Sequence, residues 1–109
     1  MKGVESMQVF DLNDRHAFPY AERQKNVFFQ ADNFKVRLIE LHAGGTMLPC
    51  EMTSYVLFYV IEGQATVFVN QQAQMLSAGQ LLITEPAELS MQTEGGVKIF
   101  GVQIAGQAK

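Results

Sequence analysis

From Asn26 onward the sequence is a succession of short β-like runs, each stopped within a few residues by glycine, asparagine or proline. That punctuation constrains the fold more than any other feature, because it leaves hardly any helical period. Phe34 to Leu41 alternates, with Lys35 and Arg37 set between Phe34, Val36 and Leu38 at the two-residue period of a half-buried strand. The alternation slips at Leu38-Ile39, which predicts a bulge or a change of burial there. Ser54 to Glu62 (SYVLFYVIE) is almost continuously apolar, β-branched or aromatic, the pattern of a strand buried on both faces. Gly63 separates it from Gln64 to Val69, which pairs through a turn at Asn70-Gln71-Gln72 with Ala73 to Leu76. Leu81 to Thr84 follows Gly79 and is stopped by Pro86. Leu89 to Thr93 and Val97 to Ile104 make a last hairpin around Glu94-Gly95-Gly96, and Val27-Phe28-Phe29 adds a strand at the start. Such a set indicates an all-β barrel or sandwich, closed because open sheet edges invite aggregation.

At 109 residues the chain suits one domain. Residues 1–25 read as an N-terminal extension, with one strand candidate (Gln8 to Leu12) and a polar segment of mixed helix and turn character. Residues 26–109 read as the barrel. A content of 48% hydrophobic and 17% charged residues excludes disorder, and a net charge of −3 gives no footprint for nucleic acid. The longest apolar run, Tyr55 to Ile61, falls far short of the roughly 20 residues that span a bilayer. The start, MKGVESMQ, has no apolar core of an export signal, and one cysteine forms no internal disulfide. The expectation is a cytoplasmic protein without nucleic-acid or membrane partners.

From Gly44 to about Ile104 the chain resembles the cupin family of small double-stranded β-helix, or jelly-roll, barrels. That family's first motif runs Gly, five residues, His-x-His, three or four residues, Glu, six residues, Gly. Here the same spacing gives Gly44, Cys50-Glu51-Met52, Val56 and Gly63, and FYVIEGQATVFVN (Phe58 to Asn70) is close to the family's strand–glycine–strand wording. The gap from Gly63 to Gly79 is also typical. The second motif carries one inserted residue before Pro86, so its histidine position falls on Met91, or on Ser90 when counted from Gly79.

In metal-binding cupins those histidines and the glutamate hold a divalent transition metal. The resemblance places Cys50, Met52, Val56 and Met91 (or Ser90) at the four positions. Valine has no lone pair to offer, and first-row ions of this kind want imidazole and carboxylate. The only histidines, His16 and His42, match no ligand position. The expectation is therefore no metal, no cofactor and no assignable catalytic residue. Three sulfurs, on Cys50, Met52 and Met91, would suit copper(I), although cysteine and methionine are equally ordinary apolar fillers. Cys50 as a nucleophile would need a base that no histidine spacing supplies. Glu51, Glu85 and Glu88, near strand ends, could act as acid or base at the barrel mouth or be plain solvated charges.

If Val56 points inward, Phe58 and Val60 do too, and Tyr55, Leu57, Tyr59 and Ile61 face the other way. The expected site is an apolar cavity lined by Cys50, Met52, Val56, Phe58, Val60 and Met91, binding a small molecule. The alternative is a metal-dependent cupin enzyme, or a copper site. The apolar outer face, Val27-Phe28-Phe29 and the strand candidate Gln8 to Leu12 point to a homodimer, as cupins often pair through outer sheet faces and exchanged N-terminal strands.

Overall fold

The computed structural model describes residues 7–105; the first six residues of the extension and the last four of the barrel region lie outside them. A 3-10 segment, Tyr20–Asn26, leads into eight strands: β1 (Val27–Gln30), β2 (Phe34–Leu41), β3 (Thr46–Glu51), β4 (Tyr55–Val69), β5 (Gln72–Ser77), β6 (Leu81–Thr84), β7 (Glu88–Gln92) and β8 (Val97–Ile104). All pairings are antiparallel, and they form the two facing sheets of a jelly-roll barrel. One sheet runs β1-β2-β8-β4-β6, the other β3-β7-β4-β5. No helix among the described residues is long and apolar enough to cross a membrane.

The strand β4 belongs to both sheets. Its first half pairs with β6 and β8, its second with β5 and β7. The sequence predicts two strands broken at Gly63; instead one strand of 15 residues bends there, with a register shift between Val60 and Glu62. Gly63 holds φ at +85°, a left-handed conformation open to glycine, so the chain turns a barrel corner without losing its ladder.

The strand β3 has no counterpart in the sequence reading. It forms an edge beside β7, and its register shifts between Met47 and Cys50, where Pro49 sits. Proline cannot donate to a ladder, and an irregular edge is where a sheet admits it. Conversely, the extended stretch at Gln8 to Leu12 is not a strand: it pairs with nothing in either sheet and runs into a turn at Leu12.

In β2 the expected bulge at Leu38-Ile39 is absent. The strand pairs with β8 in unbroken register from Phe34↔Ile104 to Leu41↔Val97. The slip in the pattern is a change of burial: Ile39 packs against the core, whereas Leu38, only 1% exposed, lies on the opposite face. That outer face is covered by the N-terminal segment. Phe10 meets Phe28 edge-on at 4.8 Å, Arg15 lies over the Phe28 ring at 4.8 Å, and Lys98 Nζ donates to the Asn13 carbonyl at 3.2 Å.

Between the sheets lies one core, built on Val56, Phe58, Val60, Ala65, Val67, Leu76, Leu89, Met91, Val97 and Ile99. Tyr55 and Tyr59 alternate with the inward set of β4 and are exposed, while Leu57 and Ile61 are half-buried on the same outer face.

Candidate functional site

The register of β8 against its neighbours decides what faces the barrel interior. Phe58 lies opposite Gly101 and Val60 opposite Ile99, while Gly101 in turn lies opposite Arg37 and Ile99 opposite Ile39. In an antiparallel sheet directly opposed residues share a face. The interior set of β2 is therefore Arg37, Ile39 and Leu41. The two-residue period of Phe34 to Leu41 holds, but its charged member Arg37 is aimed inward.

These side chains border a cavity of about 540 Å³. One wall is Met47, Leu48, Pro49 and Cys50 of β3, with Met52 just beyond; the other is Val56 and Phe58 of β4 with Arg37 and Ile39 of β2. The mouth is bordered by Phe18, Arg23, Gln24 and Asn26, so the extension and its 3-10 segment contribute directly to the site. Asn26 fixes that roof: its Oδ1 accepts the Phe18 N–H at 2.7 Å. Lys25 lies over the Phe18 ring at 5.4 Å and pairs with Glu22 at 2.9 Å.

Of the residues expected on the cavity wall, Cys50, Met52, Val56 and Phe58 line it. Val60 and Met91 do not border it; Val56 and Phe58 belong to both the core and the wall, Val60 and Met91 to the core alone. Met91 lies between Met47 of β3 and Val67 of β4, and its neighbour Ser90 points to the other face of β7. Met91, not Ser90, therefore holds the inward register position.

Of the three sulfurs considered for copper, the cavity is bordered by those of Cys50 and Met52. The four positions of the metal motif supply one exposed thiol, a thioether at the wall, a donor-free valine and a thioether in the core. Such a set does not fit a divalent first-row ion, which wants nitrogen and oxygen donors converging on one point. Among the described residues no group of three or more His, Cys, Asp and Glu is placed to hold a metal.

The other candidates lie elsewhere. Glu51 and Glu85 are exposed, and Glu88 binds Asn70 through its backbone; none of the three borders the cavity. His42 is exposed, with Nδ1 3.3 Å from the Ala43 carbonyl, on a separate open basin of about 740 Å³ shared with Glu62, Gly96 and Lys98. His16 pairs with Glu40 at 3.3 Å.

Arg37 is the residue that sequence reasoning missed. Its Nη2 donates to Gln103 Oε1 at 3.0 Å, while its Nε is shut off from solvent without a hydrogen-bond partner among the described residues. Burial pushes the guanidinium below its ordinary pKa; the positive charge of Arg23 pushes the same way, and Cys50 opposes them. A buried donor left unmatched costs about 1–3 kcal/mol, more when it carries charge. Gly101 lies opposite both Arg37 and Phe58, and a Cβ there would stand at ordinary contact distance, 3.5 Å, from Arg37 Cγ and the Phe58 ring.

No family model matches the chain, and no curated protein does. Solved structures do match. A cupin superfamily protein from Desulfitobacterium hafniense is 16% identical, with a TM-score of 0.68 over 73% of this chain and 74% of that one. A conserved protein of unknown function from Streptococcus pyogenes is 13% identical, with a TM-score of 0.72 over 93% of this chain and 90% of that one. Salicylate 1,2-dioxygenase from Pseudoaminobacter salicylatoxidans is 20% identical, with a TM-score of 0.62 over 66% of this chain but 20% of that one. The chain has the cupin fold. At these identities the likeness extends to the fold alone.

Proposed function

We propose that the protein is a small-molecule-binding cupin barrel that works without a bound metal and without catalysing a reaction. The carrying observation is the 540 Å³ cavity, whose volume falls in the range of ligand sites and whose walls are mostly apolar with a few polar groups. The donor set at the metal-motif positions supports the same reading, as does the lack of any histidine on the cavity wall. In a cytoplasmic setting the exposed Cys50 thiol stays reduced.

A ligand that binds only the folded form adds about 2.7 kcal/mol of stability at a hundred times its Kd. A thermal-shift screen across metabolite classes is therefore expected to give hits. In methyl NMR those hits should move the Met47, Met52 and Val56 signals and spare those of Val67 and Leu76. A screen without hits, or shifts centred on the basin beside Glu62 and Lys98, would overturn the reading.

We also infer that a second copy covers the outer face of β4 and β6. Register sets Tyr59 beside Leu81 and Leu57 beside Ile83, and Leu81 and Ile83 are 52% and 61% exposed. The same face continues through Phe100 to Phe28, where the chain's own Phe10 covers it. One end of the apolar face is covered and the other bare, and a two-fold pairing would bury the bare ends together. Light scattering at tens of micromolar is expected to give twice the 12.1 kDa chain mass. The double variant Tyr59→Lys, Ile83→Glu should give the chain mass with the fold retained. A wild-type particle of one chain mass would refute the dimer.

A further inference from the structure

We propose that the ligand of this cavity is a small amphipathic carboxylate, its apolar body against Met47, Met52, Val56 and Phe58 and its carboxylate on the Arg37 guanidinium. The inference rests on the ligand-binding reading above and adds a charge and a polarity to it.

The cavity holds a cation with no anion to match. Among the described residues no Asp or Glu lies within ion-pair distance of Arg37; the ion pairs there are His16–Glu40 and Lys25–Glu22. Among the described residues Glu40 is the one acidic residue that borders the cavity. Its carboxylate serves the outside: it accepts the Ala17 N–H at 3.0 Å and faces the His16 ring. A second cationic side chain, Arg23, borders the same mouth, with Gln24, Asn26 and Gln103 beside it.

A guanidinium has five N–H donors in a planar fork. Gln103 takes one from Nη2, and Nε is shut off from solvent, so the remaining Nη protons are the donors left for a ligand. Arg37 is half-buried, and a charge partly withdrawn from water without a counter-ion is unfavourable. Register sets Gly101 between Arg37 and Phe58, Arg37 borders the cavity, and carboxylate is the planar anion that fits a guanidinium fork. Inorganic anions would leave the thioether and aromatic wall unused. A neutral apolar ligand would leave the charge unmatched. An organic acid satisfies both.

The probes are 4-phenylbutanoate and its neutral isostere 4-phenylbutanamide, titrated calorimetrically into the full chain. The carboxylate is expected to bind at least about tenfold more tightly than the amide. In Arg37→Met that gap should close, the carboxylate falling to the amide's affinity while the amide is unaffected. Arg37→Gln serves as a second variant and should level the two in the same way. Equal binding of both probes to the wild type would overturn the charge assignment and leave the cavity reading standing. No binding of either at about 10 mM would overturn the cavity reading as well. Displacement of 4-phenylbutanoate by inorganic phosphate at matched concentration would show a plain anion site and overturn the amphipathic assignment.

Discussion

Alanine at position 63 is expected to remove a large part of the fold's stability. Gly63 holds φ at +85°, and a Cβ added there would overlap the Gly96 carbonyl oxygen and come within 2.9 Å of Val97 Cα. Both obstacles are backbone, and neither can move freely. Gly96 is itself at φ +106°, its N–H bound by Thr93 Oγ1 at 2.9 Å, and the same hydroxyl donates to the Gln64 carbonyl at 2.6 Å. The left-handed backbone alone costs a non-glycine residue roughly 1–2 kcal/mol, and forcing β4 away from β8 adds the loss of core packing. The sum, about 4 kcal/mol or more, is a large part of the 5–15 kcal/mol that holds a domain of this size. Chemical denaturation followed by circular dichroism measures it. Gly95→Ala, at a position with nothing within 4 Å of the added methyl, is the control and should change stability by less than about 0.5 kcal/mol. A Gly63→Ala protein as stable as that control would show that β4 does not turn its corner on this residue.

The residues that made the barrel readable are those where alternation and turn chemistry agree. Val56, Phe58 and Val60 point inward because the first half of β4 keeps a strict period, and the register shift and the Gly63 corner come only after them. Alternation gives a face, however, and not a depth. Val60 and Met91 share the inward register with Phe58, yet of these core residues only Phe58 also reaches the cavity wall. Strand β3 escaped because Pro49 and the run Leu48-Pro49-Cys50 break the period that marks a strand. Arg37 escaped for a different reason. A charged residue at every second position reads as a solvent face, because burying charge is costly. Its neighbours Val36 and Leu38 are covered by a segment whose role lies in tertiary contact, which no local pattern reveals. That segment, Gln8 to Leu12, suggested a strand through its composition, yet it holds to the sheet through one aromatic ring rather than through a ladder.

Removing residues 1–13 is accordingly expected to cost far more than a solvated tail would. The deletion takes away Phe10, whose ring lies 4.8 Å from Phe28 and 6.5 Å from Phe29, and the Asn13 carbonyl that receives the Lys98 ammonium. It also frees Arg15 from the sandwich it makes over the Phe10 and Phe28 rings. Lost apolar burial and ring contacts together amount to about 2–4 kcal/mol, a fall in Tm of about 10–20 °C for a domain of this size. The point variant Phe10→Ala should give at least half of that fall, because the ring is the anchor. Val9→Ala, at a side chain 90% exposed, should give almost none. The deletion bares the Phe28 and Phe100 end of a face already open at Leu81 and Ile83, so the shortened chain should also associate beyond a dimer and bind a hydrophobic dye. A deletion that melts within about 2 °C of the full chain would show that the segment merely lies on the sheet, and Leu38 would then be buried by strand β1 and its own neighbours alone.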